Sequence, residues 1–115
     1  MFHDTDEDWI RSFPVDIRED DDAFHVDADL PGFNRDQIDV TLQENVLTIT
    51  ANAENEDEDR YYVQQERATG TRRRMFRLTQ AVDDQQIDAK LENGVLHLVL
   101  PKRSEVKPRR IELKN

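Results

Sequence analysis

The 115-residue sequence contains no cysteine, only three glycines and no long apolar run. Without cysteine there is no disulfide, no zinc–thiolate site and no thiol nucleophile. Three glycines are too few for the glycine-rich loops that bind phosphates. The longest apolar stretch, residues 95–100, is far shorter than a membrane span, and residues 1–13 lack the apolar segment of a signal peptide. We therefore predict a soluble, cytoplasmic protein that does not bind membranes.

Basic residues are also scarce, because 16 Lys and Arg stand against 26 Asp and Glu and give a net charge of −10. Binding to nucleic acids or to anionic membranes depends on clustered basic side chains that displace counterions. The triplet Arg72-Arg73-Arg74 is too short to reverse this balance, and alternation along a strand places Arg73 opposite its two neighbours. The composition therefore argues against nucleic-acid binding.

Side chains for metal binding or catalysis are few and scattered. The histidines, at positions 3, 25 and 97, do not have the spacing of metal ligands. The acidic run over residues 54–59 lacks the glycine and the alternating ligands of a calcium loop, so it is read as a solvated charge run. Both serines lie outside the predicted core. We predict no metal, no cofactor and no enzymatic activity.

What the sequence does contain is alternation of apolar and polar residues with a period of two, which is typical of β-strands. Such runs occur at residues 15–19, 24–29, 38–42, 46–51, 72–78, 87–91 and 95–100. Turn residues separate them, and residues 38–42 and 46–51 read as a hairpin. The run Asp20-Asp21-Asp22 predicts a turn whose carboxylates accept hydrogen bonds from nearby backbone amides. Seven or eight short strands predict an all-β fold, an antiparallel immunoglobulin-like β-sandwich.

This pattern divides the chain into a sandwich domain over residues 14–101, a short N-terminal arm (1–13) and an extended C-terminal tail (102–115). Within the domain, residues 52–69 form a long acidic loop that contains the apolar segment Tyr61-Tyr62-Val63. An apolar segment in a polar loop cannot bury itself locally and needs another surface. That surface is either a second chain or, as the alternative, the chain's own sandwich.

Four short motifs occur in order along the chain. They are Leu30-Pro31-Gly32-Phe33, Ala89-Lys90-Leu91-Glu92-Asn93-Gly94-Val95-Leu96, Leu100-Pro101-Lys102 and Ile111-Glu112-Leu113. Each is weak alone, but in this order and at these spacings they resemble the α-crystallin domain of the small heat-shock proteins. The resemblance runs from about residue 14 to residue 113. It implies an ATP-independent chaperone, a holdase that binds partly unfolded proteins and prevents their aggregation.

The resemblance also implies self-association into dimers. In bacterial, archaeal and plant members a loop strand of one chain joins the sheet of the other, and the matching segment here is residues 61–63 in the acidic loop. Arg74 matches a characteristic arginine near the dimer interface. The family usually carries Phe where Arg72 stands and Pro where Thr79 stands, so the packing of this strand is not predicted.

Ile111 and Leu113 resemble the C-terminal anchor of the family, with leucine in the second position as a departure from the commonest pattern. Period two places both side chains on one side of an extended segment. By analogy, they dock in an apolar groove between two strands. The strand residues in question are Ile38, Val40, Leu42, Ile87, Ala89 and Leu91. Anchors that reach a neighbouring dimer join dimers into larger oligomers. The alternative for Ile111 and Leu113 is an apolar patch within the chain or a frayed end.

Non-native client proteins are the implied partners, held by many weak apolar contacts. The client-binding candidates in the arm are Phe2, Trp9, Ile10 and Phe13. A competing interpretation is a co-chaperone or adaptor with a related β-sandwich that binds one folded partner, and a third is a stand-alone acidic binding module. The co-chaperone or adaptor would not need the anchor or the long loop, whose presence favours the holdase over it.

Overall fold

A computed structural model describes residues 12–53, 61, 63–64, 70–106, 108 and 111–114. The segments in which apolar and polar residues alternate form β-strands. Within these ranges the strands are β1 (Val15–Glu19), β2 (Ala23–Asp29), β3 (Ile38–Gln43), β4 (Val46–Ala53), β5 (Gly70–Arg77), β6 (Asp88–Glu92) and β7 (Val95–Pro101). Single turns of 3-10 helix lie at Arg35–Gln37 and Ser104–Val106.

The strands form two antiparallel sheets that share one core. One sheet has the order β1-β2-β7-β6 and the other the order β3-β4-β5. Hairpins join β1 to β2, β3 to β4 and β6 to β7, whereas β2 pairs with β7, which is distant in sequence. The predicted antiparallel β-sandwich is confirmed, and so is the hairpin of β3 and β4.

The core is formed mainly by the central strands β2, β4 and β7. Their buried inward-facing residues are Phe24, Val26, Ala28, Leu47, Ile49, Ala51, Leu96, Leu98 and Leu100. Polar residues alternate with them and lie on the outer faces, as the pleat of a strand requires. Burial of each large apolar side chain contributes about 1.5–3 kcal/mol, so these three strands carry most of the stability of the sandwich.

The sandwich begins earlier than predicted, because Phe13 belongs to the core. Its side chain is 3% exposed, and its carbonyl oxygen accepts a hydrogen bond of 2.7 Å from Nη1 of Arg74 in β5. This corrects the prediction that Phe13 is a client-binding residue of the arm, since a side chain buried among core residues is not available to a client. The other candidates, Phe2, Trp9 and Ile10, lie outside the described residues.

The sandwich also ends later than predicted, because Lys102 is part of it rather than of an extended tail. Lys102 is 6% exposed. Its Nζ lies 2.8 Å from Oε2 of Glu19 and 5.3 Å from the centre of the Phe24 ring. Its backbone N–H donates to the carbonyl oxygen of Asp22 at 2.8 Å. Lysine is rarely buried unless it is paired, and local sequence does not reveal a partner 83 positions away.

Two tight turns fix the register of the hairpins β3–β4 and β6–β7. Both central residues of each turn have positive φ, with 51° and 63° at Glu44 and Asn45 and 54° and 78° at Asn93 and Gly94. Turns of this kind match the twist of the strands they join. At Gly94 a Cβ would also lie 3.2 Å from Cα of Pro31, so the close approach of the Pro31 loop requires glycine.

Asp20 closes the turn between β1 and β2. Its Oδ1 accepts hydrogen bonds of 2.8 Å from the backbone N–H groups of Asp22 and Ala23, and its Oδ2 lies 2.8 Å from Nε2 of His25. The hydrogen bond with His25, followed by the two backbone bonds, lowers the pKa of Asp20 from its ordinary value of 3.8 to about 2. The predicted turn, with a carboxylate accepting backbone hydrogen bonds, is confirmed.

Candidate functional site

An apolar groove lies where an edge of one sheet faces an edge of the other. It runs between β3 and β6 and has a volume of about 310 Å³. The residues that line it are Val40, Leu42, Leu47, Asp84, Ile87, Ala89 and Leu98. Because β3 and β6 are both edge strands, no further strand covers the groove within the described part of the chain.

The groove has a buried floor and partly exposed walls. Leu47 and Leu98, in the neighbouring strands β4 and β7, are 0% and 1% exposed and form the floor. They pair in register with Leu42 and Ala89, which lie on the two walls. Leu42 is half-buried and Ala89 is exposed. The walls therefore have apolar surface left to bury, whereas the floor has almost none.

The structure brings most of the predicted groove residues together, namely Val40, Leu42, Ile87 and Ala89. Ile38 and Leu91 do not line this groove. Both are half-buried and pack against the core, and Leu91 also lines a separate cleft with Phe33. Whether the groove binds the tail is not tested by this placement, and the docking stays a prediction.

Three lining residues were not predicted from the sequence. Leu47 and Leu98 were placed only in the strand runs 46–51 and 95–100, because alternation identifies strands but not the groove that their side chains lie under. Asp84 was missed because it lies in the turn before β6, outside any alternating run. No local pattern in the sequence identifies it.

The tail residues Ile111 and Leu113 are 83% and 94% exposed. They do not occupy the groove of their own chain. Two aliphatic side chains exposed to this degree have most of their apolar surface left to bury against another surface. The exposed tail pair and the groove thus occur in one chain, and the structure does not join them.

The loop residues Tyr61 and Val63 are also fully exposed, at 102% and 107%. Neither folds back onto its own sandwich in the structure, unlike the alternative considered from the sequence. Tyr62 lies outside the described residues. The role of the segment in a dimer stays a prediction.

Arg74 is held at the edge of the sandwich formed by β5. Besides donating to Phe13, its guanidinium lies 4.9 Å from the centre of the Phe76 ring. The guanidinium of Arg72 lies 5.7 Å from the Phe33 ring, and Arg73 is exposed on the opposite face, as alternation predicted. The place of Arg74 at a dimer interface stays a prediction, and the acidic run at residues 54–59 lies outside the described residues.

The two described histidines lie beside carboxylates rather than in a metal centre. Besides the His25–Asp20 pair, Nδ1 of His97 lies 2.6 Å from Oδ1 of Asp27. In the part of the chain that the structure describes, no three His, Cys, Asp or Glu side chains are grouped as metal ligands. In the same part, no helix has the length and apolar character that crossing a membrane requires.

With the sandwich and its groove described, the chain can be compared with known proteins. The model of the Hsp20/alpha crystallin family matches residues 16–114. The 18 kDa heat shock protein of Clostridium acetobutylicum is 42% identical over 107 aligned residues, covering 88% of this chain and 70% of the relative. Small heat shock protein C2 of Rickettsia felis is 36% identical, and the match covers 87% of this chain and 66% of that protein.

A solved structure agrees with the sequence comparison. The small heat-shock protein of Xylella fastidiosa, reported to have a distinct high order structure, superposes with a TM-score of 0.70 and 33% identity. The match covers 90% of this chain and 96% of that chain. The resemblance seen in the motifs is confirmed, and the chain belongs to the Hsp20/alpha crystallin family.

Proposed function

We propose that this protein is an ATP-independent chaperone that binds partly unfolded proteins and keeps them from aggregating. Small heat-shock proteins are generally chaperones. The observation that carries the proposal is an uncovered apolar groove on a chain that also exposes large apolar side chains at Tyr61, Val63, Ile111 and Leu113. Apolar surface of this kind on a polar body of net charge −10 is typical of a site that binds other proteins.

Binding in this mechanism is weak, reversible and multivalent. An apolar segment that enters the groove buries its side chains against the half-buried walls, at about 1.5–3 kcal/mol for each large side chain. Several such contacts between one client and an oligomer give useful avidity without sequence specificity. The negative charge of the chaperone keeps the complex in solution by repulsion between particles. No catalytic step is part of the mechanism.

Self-association supplies the multivalency. In the proposal, residues 61–63 join the sheet of a partner chain to make a dimer, and the pair Ile111 and Leu113 docks in the groove of a neighbouring dimer. Support for the second step comes from geometry: the two side chains are separated by one residue, and their spacing on an extended segment suits two adjacent sites along a groove. The tail then leaves the groove when a client segment enters it.

The test is suppression of aggregation without ATP. An unrelated protein is denatured by heat or by reductant, and its light scattering is followed with increasing amounts of the full chain. We expect scattering to fall at stoichiometric to several-fold excess, with no change when ATP is added. Unchanged scattering at several-fold excess, while circular dichroism shows the chaperone folded, would refute the proposal.

The role of the tail is tested by Ile111→Ala combined with Leu113→Ala. Light-scattering mass should fall from larger assemblies to dimers, because each tail loses most of its apolar docking surface. Glu112→Ala is the matched control, since period two directs that side chain away from the docking face. A double variant that keeps the larger mass contradicts the anchor role, and a wild-type chain that is already a monomer contradicts the self-association.

A further inference from the structure

One charged side chain lines the otherwise apolar groove. Asp84 lies in the turn between Val82 and Ile87 and contributes to the lining together with six apolar residues. The turn is fastened by Asp83, whose Oδ1 accepts a hydrogen bond of 3.1 Å from the N–H of Gln85. The N–H of Asp83 donates to the carbonyl oxygen of Pro101, at the end of β7, at 2.8 Å. These bonds hold the backbone of the turn beside the groove, where Asp84 is exposed and contributes to the lining.

The chain presents two apolar pairs with the spacing that the groove would accept. Ile111 and Leu113 form one pair, and Tyr61 and Val63 form the other, and all four side chains are exposed. Spacing alone does not distinguish the pairs. Their neighbours in sequence do, because the flanking charges differ in sign.

The tail pair lies among basic residues and the loop pair follows acidic ones. The basic neighbours of the tail pair are Lys107, Arg109, Arg110 and Lys114, against the single acid Glu112. The loop pair is preceded by the acidic run at residues 54–59, with Arg60 between them. A carboxylate at the groove therefore attracts the flanks of one pair and repels those of the other.

We propose that Asp84 makes the groove selective for apolar pairs flanked by basic residues, so that the tail rather than the acidic loop docks there. The inference rests on the proposed docking of the tail and adds the residue that determines its specificity. Selectivity of this kind arises as much from repulsion of the wrong segment as from attraction of the right one.

The test uses the full chain carrying Ile111→Ala and Leu113→Ala, so that its own tail does not compete for the groove. Two labelled peptides are titrated by fluorescence anisotropy: the tail segment, residues 106–115, and the loop segment, residues 57–66. At low ionic strength, Asp84→Asn should weaken binding of the tail peptide about threefold, the range for a single exposed ion pair. Asp84→Lys should weaken it by roughly tenfold and strengthen binding of the loop peptide, because attraction becomes repulsion.

Two controls separate this inference from the docking itself. Asp29→Asn removes the same charge from the end of β2, away from the groove, and should leave both affinities unchanged. Ala89→Trp fills the groove from its wall and should abolish binding of the tail peptide. The differences among the Asp84 variants should shrink in high salt, because exposed charges are then screened.

The outcomes are distinguishable. If Ala89→Trp abolishes binding of the tail peptide while Asp84→Asn and Asp84→Lys leave it unchanged, the selectivity role of Asp84 is wrong and tail docking stands. If the tail peptide does not bind, or binds equally well with Ala89→Trp, tail docking in this groove is wrong and the inference fails with it. Weaker tail binding together with stronger loop binding in Asp84→Lys supports both.

Discussion

The partly buried ion pair of Lys102 offers the most direct test of how the tail is attached to the sandwich. The ammonium lies 2.8 Å from the Glu19 carboxylate, with the lysine side chain 6% and the glutamate side chain 36% exposed. Lys102→Met keeps much of the aliphatic stem and removes the charge. We expect a loss of about 1–3 kcal/mol in the free energy of unfolding, the range for removing one partner of a hydrogen bond to a charged group.

The size of the effect depends on what replaces the lysine. Lys102→Ala also removes most of the stem, and at about 0.8 kcal/mol for each buried methylene it should cost roughly 2 kcal/mol more. Lys102→Met combined with Glu19→Gln leaves neither charge unpaired. The double variant should therefore be more stable than the sum of the single effects predicts, by about 1 kcal/mol.

Urea unfolding followed by far-UV circular dichroism measures these differences, at one fixed protein concentration because self-association adds to the apparent stability. Lys90 is the matched control. Its Nζ also lies 2.8 Å from a carboxylate, that of Glu92, but the two side chains are 70% and 51% exposed. Lys90→Met should leave the midpoint unchanged, since solvent competes for both charges. A Lys102→Met midpoint equal to that of Lys90→Met, or strictly additive effects in the double variant, would refute the reasoning.

Two further predictions concern the dimer and the pH dependence. Replacing residues 61–63 by serine should shift the light-scattering mass toward monomer with the far-UV signal kept, and an unchanged mass would mean that another surface makes the dimer. The folded-state pKa of Asp20, about 2, lies below its ordinary value of 3.8. The ionised carboxylate therefore stabilises the fold above pH 3.8, and this contribution is lost as the pH falls through 2. The difference in melting temperature between the wild-type chain and Asp20→Asn should therefore be present at pH 5 and vanish toward pH 2, and a difference that does not vary with pH would contradict this account.

Local sequence predicted the strands because their period is a local property. In β2 and β7, the residues Phe24, Val26, Leu98 and Leu100 alternate with polar or less buried neighbours, and each alternating position is buried in the structure. The hairpin turns were also readable, because Asn93-Gly94 favours positive φ at both positions. The pairing of β2 with β7 could not be predicted from periodicity, because the local pattern of a strand does not depend on which distant strand it pairs with.

The errors at the two ends of the sandwich have the same cause. Phe13 is separated from β1 by Pro14, the predicted start of the domain, and Lys102 follows the proline that ends β7. Phe13 packs among core residues from other strands, and Lys102 pairs with Glu19 of β1. The family resemblance supplied the groove, but its motifs do not identify which side chains form the floor, and they do not include Asp84.

The division of the groove into floor and walls explains how a docking site can be emptied without unfolding the domain. The floor residues Leu47 and Leu98 are buried within the described sandwich itself, because the opposite sheet and neighbouring strands cover them. Only the walls on β3 and β6 have exposed apolar surface that an occupant can bury. Both are edge strands, and each stays paired with one neighbour, β3 with β4 and β6 with β7. A departing segment therefore gives up wall contacts and leaves the core intact. In the proposed mechanism the occupant can therefore change while the sandwich stays folded, as exchange between a tail and a client requires.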